Sequence, residues 1–197
     1  KTLQVKNDPT GWFDFKEEKQ IKLSELDVIL MRQDPPFNSN YIYNTYVLES
    51  AEKEGVLVVN KPSSLRDCNE KVFATEFPEC CTPFLVTSDP NLLKSFIEGH
   101  GDTVIKPLDG MGGSSIFRLR YSDPNLNVIL ETITESFTTK VMIQTYIPEI
   151  TDGDKRILLL DGKPVGAVNR IPNKDEIRAN LHIGAKSKKI NPKEISH

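Results

Sequence analysis

The sequence predicts an α/β fold, because strand-like and helix-like segments alternate along it with short polar connections. The apolar runs Leu26–Met31 and Val56–Val59 are typical of strands that are covered on both faces. Between them, Tyr41–Lys53 has the spacing of a helix, which Gly55 ends. A strand, a helix and a strand in this order predict a parallel pair of strands. A glycine-rich loop with β-rich runs on both sides, Asp109–Gly113, is the third observation.

The middle of the chain continues this alternation. A helix is predicted over Leu65–Phe77, ahead of Pro78, and a strand is predicted over Cys81–Thr87. Asp89 is placed to cap a further helix, Pro90–Glu98, whose first position is a proline. We therefore expect a strand to precede this capped helix.

The glycine-rich loop connects two predicted strands, Thr103–Pro107 and Ser114–Arg120, and so predicts a hairpin flap. Glycines let backbone N–H groups close on an anion, and Lys106, shortly before the loop, adds a positive charge. These features suit the phosphates of ATP, although a glycine-rich hairpin alone is more often only a turn. The G-x-x-x-x-G-K-[ST] pattern of a P-loop does not occur in the sequence.

The last third of the chain predicts one helix and three strands. The helix is predicted over Asn125–Glu135, and the first of the strands over Val141–Ile147. The other two, Arg156–Leu160 and Pro164–Asn169, form a predicted hairpin. Residues beyond Ile171 are polar, basic and irregular in pattern, so no element is predicted there.

The composition is that of an ordinary globular protein. The 197 residues carry a net charge of −3, which gives no basic footprint for nucleic acid. No apolar run approaches the about 20 residues that span a bilayer, and the N-terminus lacks the apolar core of a signal peptide. The three cysteines, Cys68, Cys80 and Cys81, lack metal-ligand spacing, so we expect reduced thiols in a cytoplasmic protein. Because the chain starts at Lys1 and stops after an unfinished loop, we expect a fragment.

Several basic side chains are candidates for anion binding. Lys71 lies on the predicted helix Leu65–Phe77 and could face the same cleft as Lys106. Arg156 begins an apolar strand, where an arginine either pairs with a carboxylate or binds an anion. Beyond the second hairpin, three further polar residues form a cluster: Arg170, Arg178 and Asn180.

Arg32 follows the first strand of the parallel pair, at the end where α/β proteins form ligand sites. The alternative is a structural ion pair with Asp27 or Asp34, and the sequence leaves both interpretations open.

Taken together, five segments resemble bacterial glutathione synthetases, which belong to the ATP-grasp superfamily: LDVILMRQDPPF, VNKPSSLRDCNEKVFATEF, VIKPLDGMGGSSIFR, QTYIPEITDGDKRILLLDGKPVGAVNRIP and IRAN. The segments span nearly the whole chain in the right order, and KPLDGMGG with DGDKR is a specific combination. The resemblance implies a partial ATP-grasp fold with an α+β lid, next to the remainder of a parallel-sheet domain. It implies three parts: residues 1–62 from the N-terminal substrate domain, 63–148 as the lid with its flap, and 149–197 as the start of an incomplete C-terminal domain.

The resemblance also implies an activity. The family joins γ-glutamylcysteine to glycine through an acyl phosphate and converts ATP to ADP and phosphate. The complete protein is then expected to be a cytoplasmic homotetramer that binds these small molecules, and neither nucleic acid nor a membrane. Two alternatives stay open: another ATP-grasp carboxylate–amine ligase, such as a glutamate-adding or D-alanine-type enzyme, and a non-catalytic nucleotide-binding module.

Site residues are carried over on the matching motifs. The implied ATP-binding residues comprise two phosphate lysines, the flap, a hinge strand that reads adenine, and a pair near the nucleotide or its ribose: Lys71, Lys106, Gly110, Met111, Gly112, Gly113, Gln144, Tyr146, Ile147, Asp154 and Lys155. The implied residues for substrate carboxylates and the γ-phosphate are Arg32, Arg156, Arg170, Arg178 and Asn180. Of these, Arg156 and Arg178 are the expected catalytic residues.

Magnesium is the remaining cofactor that the family implies. Its ligands belong to a late D…E-x-N pattern, and no such pattern follows Asn180. We therefore assign no metal ligand, and we expect this chain alone to be inactive.

Overall fold

The computed structural model describes residues 2–33, 36–174 and 176–191. These residues form two compact units, one that falls within residues 1–34 and 39–68 and another that falls within residues 35–38 and 69–197. The proposed division of the second unit into a lid and a C-terminal part stays a prediction. Among the described residues, no helix has the length and apolar character that crossing a bilayer requires.

The first unit holds a short antiparallel hairpin and one strand–helix–strand motif. Its elements are, in order, β1 (Leu3–Val5), β2 (Phe13–Phe15), β3 (Val28–Leu30), α1 (Ser39–Lys53), β4 (Leu57–Val59) and α2 (Pro62–Asp67). Strands β3 and β4 are parallel, with Ile29 opposite Val58. The predicted parallel pair is therefore confirmed.

Strands β3 and β4 are not covered on both faces, so that part of the prediction is wrong. Val58 is buried, but Leu30 and Leu57 are 62% and 61% exposed. Side chains alternate across a strand, and in the described part of the chain these two strands pair only with each other, while α1 contacts β4. The described residues therefore cover only part of this small sheet.

The predicted helix Leu65–Phe77 is also wrong in its extent, because α2 ends at Asp67. The Asn69 side-chain oxygen accepts hydrogen bonds from the backbone N–H groups of Lys71 and Val72, both at 3.0 Å. Asparagine favours such turns over helix, because its side chain competes for backbone N–H groups. Two 3₁₀ turns follow, Phe73–Glu76 and Pro78–Cys80. Lys71 consequently lies in a turn and not on a helix.

The second unit is built first on a four-stranded antiparallel sheet with two helices. Its elements are β5 (Phe84–Thr87), α3 (Pro90–His100), β6 (Thr103–Pro107), β7 (Phe117–Leu119), α4 (Leu126–Ile133) and β8 (Val141–Thr145). The strand order is β5-β8-β6-β7. The pairing of β6 with β7 confirms the predicted hairpin, and Asp89 caps α3 as predicted, its carboxylate accepting from the N–H of Asn91 at 2.8 Å.

One face of this sheet packs on the two helices and forms the core. Leu93 and Ile97 of α3 and Leu130 of α4 pack with Ile105 and Ile143 of the sheet, all fully buried. Because strand side chains alternate, the residues between these positions point to the opposite face. That opposite face is free to form a binding surface.

A second antiparallel sheet follows, with the order β11-β10-β9. Its strands are β9 (Asp154–Leu160), β10 (Lys163–Ile171) and β11 (Lys186–Ile190). The predicted hairpin is confirmed, and its turn residues Asp161 and Gly162 have positive φ angles of 48° and 72°, as a type I′ turn requires. Strand β11 was not predicted, because its lysine-rich sequence lacks the apolar alternation that marks a strand.

Candidate nucleotide site

The face of the four-stranded sheet opposite the core lines a cavity of about 330 Å³. Val104 of β6 lies opposite Gln144 of β8 in the antiparallel register, and both line this cavity. Seven of the predicted site residues line it: Lys106, Gln144, Tyr146, Ile147, Asp154, Arg178 and Asn180. The structure therefore brings together residues that are up to 74 positions apart in the sequence, from 106 to 180.

Sequence reasoning missed the apolar side chains of this cavity. They come from strand β6, from the flap and from two later segments: Val104, Ile116, Ile150, Ile177 and Ala179. The alternation of strand β6 was the available signal, since Val104 and Lys106 are two residues apart and so share one face. Ile150 lies in the 3₁₀ turn Pro148–Asp152, and the other apolar residues lie in irregular segments; neither setting has a periodicity that marks the direction of a side chain.

A second cavity of about 180 Å³ adjoins the first. Three residues line both cavities: Lys106, Gln144 and Ile147. Lys71 and the neighbouring Cys80 and Cys81 line the second cavity only. The two cavities thus follow one sheet face, with Lys106 at their junction.

Lys71 and Lys106 form a pair of positive charges in this second cavity. Burial lowers the pKa of Lys106, the charge of Lys71 lowers it further, and Cys81 opposes these effects. The Lys71 ammonium donates hydrogen bonds to the flap carbonyls of Gly110 and, at 3.4 Å, Leu108. An anion bound between the two ammonium groups would offset the repulsion that lowers the pKa of Lys106.

The flap lies directly against the segment that contains Arg178, Asn180 and His182. Gly112 and Gly113 have φ angles of +72° and +81°, and a Cβ atom at Gly112 would lie 2.6 Å from the imidazole of His182. A Cβ atom at Gly113 would lie 2.5 Å from the side-chain oxygen of Asn180. The glycines are therefore needed for a close approach to this segment as well as for the turn.

His182 was not among the predicted site residues. The signal that could have found it is the spacing Arg-x-Asn-x-His from Arg178, since the two side chains before it in this series already belong to the site. A Cβ atom at Gly112 of the flap would overlap its ring.

Arg178 joins the flap to the cavity. Its guanidinium donates to the carbonyl of Gly113 at 2.9 Å and to the carboxylate of Glu176 at 2.7 and 3.0 Å. The hydrogen bonds from Arg178 hold the pKa of Glu176 at about 2, so this carboxyl is ionised at neutral pH. Glu176, the ion-pair partner of Arg178, is a second residue, after His182, that the sequence did not indicate.

Arg170 forms a cross-strand ion pair with Asp154. The two residues are opposite each other in the β9–β10 register, and the Arg170 Nε donates to an Asp154 oxygen at 2.7 Å. A second hydrogen bond from Nη2 makes the pair bidentate. The pair orients Asp154 at the cavity wall, whereas the predicted contact of Arg170 with a substrate carboxylate stays a prediction.

Other predicted residues lie away from the two cavities. Lys155 and Arg156 belong to β9, where both are exposed, and neither lines either cavity. Met111 is an exposed flap residue. Arg32 is exposed after β3 in the first unit, and Asp34, one of its two possible partners, lies outside the described residues. The roles of these residues stay predictions.

Family models cover nearly the whole chain. Residues 70–196 match the model of the prokaryotic glutathione synthetase ATP-grasp domain, and residues 1–66 match that of the prokaryotic glutathione synthetase N-terminal domain. The resemblance seen in the five sequence segments is therefore confirmed.

Curated relatives with the name glutathione synthetase are similar over the same range. One from Pseudomonas putida is 57% identical over 185 residues, which cover 93% of this chain and 58% of that protein. One from Vibrio cholerae is 56% identical over 187 residues, which cover 94% of this chain and 59% of that protein. The chain thus spans less than two thirds of the length of these relatives.

Solved structures show the fold at much lower identity. D-cycloserine synthetase DcsG superposes with a TM-score of 0.65 at 12% identity, covering 89% of this chain and 64% of that chain. D-alanyl-alanine synthetase A from Vibrio cholerae superposes with a TM-score of 0.55 at 12% identity, covering 82% and 51%. These similarities concern the fold alone, and together with the match to the ATP-grasp domain model they confirm the predicted fold class, a partial ATP-grasp fold.

Proposed function

Because this chain belongs to the prokaryotic glutathione synthetase family, we propose that its second unit binds ATP in the two adjoining cavities. We also propose that the complete protein uses this ATP to join γ-glutamylcysteine to glycine. The observation that carries the proposal is the pairing of Lys71 and Lys106 beside a glycine flap, since two adjacent ammonium groups favour an anion.

The triphosphate occupies the side of the site that the two lysines line. Lys106 reaches both cavities, and Lys71 holds the flap carbonyls from the second cavity. Phosphate oxygens accept charge-assisted hydrogen bonds from both ammonium groups, and backbone N–H groups of Gly112 and Gly113 add neutral ones.

The base and ribose occupy the 330 Å³ cavity, which has the size of a small-ligand site. Strand β8 ends there, and the segment Gln144–Ile147 offers backbone groups to the base edge. Ile150 and Ile177 supply apolar cover. Asp154, oriented by Arg170, lies where a ribose hydroxyl group would bind.

The proposed reaction takes place in two steps. The peptide carboxylate attacks the γ-phosphorus, the bond to the bridging oxygen breaks, and ADP leaves with that electron pair. The amine of glycine then attacks the acyl carbon, loses a proton and expels phosphate, which leaves an amide bond. Lysine and arginine side chains offset the charge on the phosphoryl and oxyanion oxygens, and the closed flap keeps water from the acyl phosphate.

Magnesium is a cofactor that the family implies, and we assign no ligand for it among the residues that the structure describes. Within 2–33, 36–174 and 176–191, no group of three or more His, Cys, Asp or Glu side chains is placed to hold a metal ion. The roles proposed here therefore rest on the cationic side chains and the flap. A cytoplasmic location and a homotetramer of the complete protein likewise stay predictions.

Two measurements test the proposal. Calorimetric titration of this chain with ATP should show binding at a single site, and an absence of binding would contradict the proposed site. Turnover is measured by ADP release from this chain joined to the part of the Pseudomonas putida relative that it does not match. We expect release that requires both γ-glutamylcysteine and glycine, whereas release with D-alanine alone would point to a different ligase.

A further inference from the structure

A network of charged side chains lies at the edge of the proposed base site and has no role in the reaction described above. Asp102, between α3 and β6, accepts hydrogen bonds from two arginines of the β7 region. Arg118 donates from Nε at 2.7 Å and from Nη2, and Arg120 donates from Nη2 at 2.7 Å. These hydrogen bonds lower the pKa of Asp102 to about 2, so the carboxylate is charged at neutral pH.

Asp102 and Arg118 also contact Tyr146. The backbone N–H of Tyr146 donates to the backbone carbonyl of Asp102 at 2.9 Å. The guanidinium carbon of Arg118 lies 3.8 Å from the centre of the Tyr146 ring, which is a close cation–π contact. Asp102 therefore fixes the main chain of Tyr146 directly, and it fixes the ring by orienting Arg118.

The register of the sheet explains this arrangement. Arg118 of β7 lies opposite Val104 of β6, which in turn lies opposite Gln144 of β8. Opposed residues share a face, so Arg118 lies on the cavity side of the sheet. Tyr146 lies just beyond the end of β8 and lines the 330 Å³ cavity.

We propose that Arg118 and Asp102 are positioning residues that lock Tyr146 and thereby shape the wall against which the purine base of ATP binds. The proposal rests on the proposed ATP site and deepens it. A planar guanidinium that is fixed by a bidentate carboxylate is a rigid platform, so the tyrosine ring loses the freedom that it would have at a strand end. Binding of the base then requires less ordering of this ring.

Arg120 provides a matched control for Arg118. Both arginines bind the same carboxylate, but the cation–π contact with Tyr146 is made by Arg118. The side chain of Arg118 is 34% exposed and that of Arg120 is 63% exposed. A purely electrostatic effect of lost charge would be similar in the two variants, whereas a positioning effect would not.

The first test compares nucleotide affinities. We expect Arg118→Ala to weaken ATP binding about three- to tenfold, the range of a partly exposed cation–π contact. Arg120→Ala should stay within about twofold of the unmodified chain. Inorganic tripolyphosphate, which lacks a base, should compete with unchanged affinity in both variants. Arg118→Met, which keeps the apolar stem, is the second variant if Arg118→Ala folds poorly.

A double-mutant cycle and an exchange measurement complete the test. Tyr146→Ala and Arg118→Ala should be non-additive in their effects on ATP affinity, because each removes the same contact. Without nucleotide, amide hydrogen exchange of the peptide that carries Tyr146 should be faster in Arg118→Ala than in Arg120→Ala. Additive effects, or equal exchange in the two arginine variants, would overturn the positioning role. If the unmodified chain bound no ATP, the proposed function would fail, while the exchange measurement would still decide the role of Arg118.

Discussion

At the scale of single residues, the environment of Lys106 disfavours the positive charge of its side chain. Its ammonium group is partly buried, and the neighbouring positive charge of Lys71 lowers its pKa further. A bound anion favours this charge, because it offsets both the desolvation and the repulsion. The lysine was recognisable in the sequence from its place before the glycine loop, but its partner Lys71 comes from a turn that the sequence did not predict.

Replacing Lys106 should therefore weaken ATP binding more than it weakens the fold. We expect Lys106→Ala to lose a charge-assisted contact with ATP that contributes about 1.5–3 kcal/mol. The dissociation constant for ATP should then rise roughly ten- to hundredfold. Lys163→Ala, at an exposed position of β10, is the control and should leave the titration unchanged. Equal affinities of the two variants would remove Lys106 from the site.

Asp102 predicts how the fold responds to acid. Its pKa is lowered from 3.8 to about 2 by Arg118 and Arg120, so the unfolded chain binds more protons between these two values. Its contribution to stability is present above pH 3.8 and is lost as the pH falls towards 2. Allowing for solvent screening, we expect Asp102→Asn to cost about 1 kcal/mol at pH 6.

The measurement for Asp102 is the unfolding free energy from urea titrations between pH 6 and pH 2.5. The difference between the unmodified chain and Asp102→Asn should shrink as the pH falls. Asp152→Asn removes an exposed carboxylate elsewhere in the unit and is the control. A difference that is constant with pH would show that the ion pairs of Asp102 are not its source.

At the scale of elements, the flap and the β9–β10 turn each contain a glycine with a positive φ angle, but for different reasons. Gly112 and Gly162 have the same φ angle of +72°, but only a Cβ atom at Gly112 would meet another group, the His182 ring at 2.6 Å. Gly162 has open space around it. A side chain at Gly162 would therefore introduce backbone strain alone, whereas a side chain at Gly112 would introduce the same strain and a steric overlap with His182.

We expect Gly112→Ala to impair flap closure and ATP binding, while Gly162→Ala carries only the strain of a left-handed residue, about 1–2 kcal/mol of stability. The double variant Gly112→Ala with His182→Ala should regain much of the lost ATP affinity, because the overlapping ring is gone. Thermal melting and ATP titration on the same samples make the comparison. If removal of the His182 ring restored nothing, the contact between the flap and His182 would not matter for closure.

The elements also show what the sequence could and could not predict. Strand β6 and the capped helix α3 were predicted closely, because their signals are local: apolar alternation, an Asp cap and a proline at the first helical position. The extent of α2 was wrong, because the turn formed by Asn69 outcompetes helix continuation. Strand β11 is stabilised by pairing with β10, and this tertiary contact cannot be predicted from its lysine-rich sequence.

The same distinction applies to the candidate site. The lysine, the glycines and the hinge segment lie in recognisable sequence motifs, so they could be named as candidates from the sequence. Arg118 and His182 were missed, because their contacts with Tyr146 and with Gly112 join segments that are distant in the sequence. Glu176 was missed although its partner Arg178 is only two residues away, because no motif marks that pairing. Such residues become visible only when the fold brings their partners within hydrogen-bonding or van der Waals distance.

At the scale of the whole molecule, apolar surface is distributed unevenly. Strand β9 is an edge of its sheet in the described part of the chain, since it pairs there with β10 alone. Leu158, Leu159 and Leu160 of this strand are between 58% and 65% exposed. An exposed edge strand presents unpaired backbone N–H and C=O groups, and here it also presents apolar side chains. Such an edge can pair with a strand of another chain.

We therefore expect the chain to self-associate at high concentration through β9, and a charge on that strand should reduce the association. Leu159→Lys places a charge next to the open edge, as natural edge strands do. Leu92→Lys is the control, because Leu92 is 50% exposed but lies on helix α3, away from any strand edge. Sedimentation velocity is measured over a hundredfold range of concentration. Compared with the unmodified chain, Leu159→Lys should have a larger monomer fraction, and Leu92→Lys should associate to the same extent. A monomeric unmodified chain at every concentration, or an equal effect of both lysines, would show that the exposed edge of β9 does not drive association.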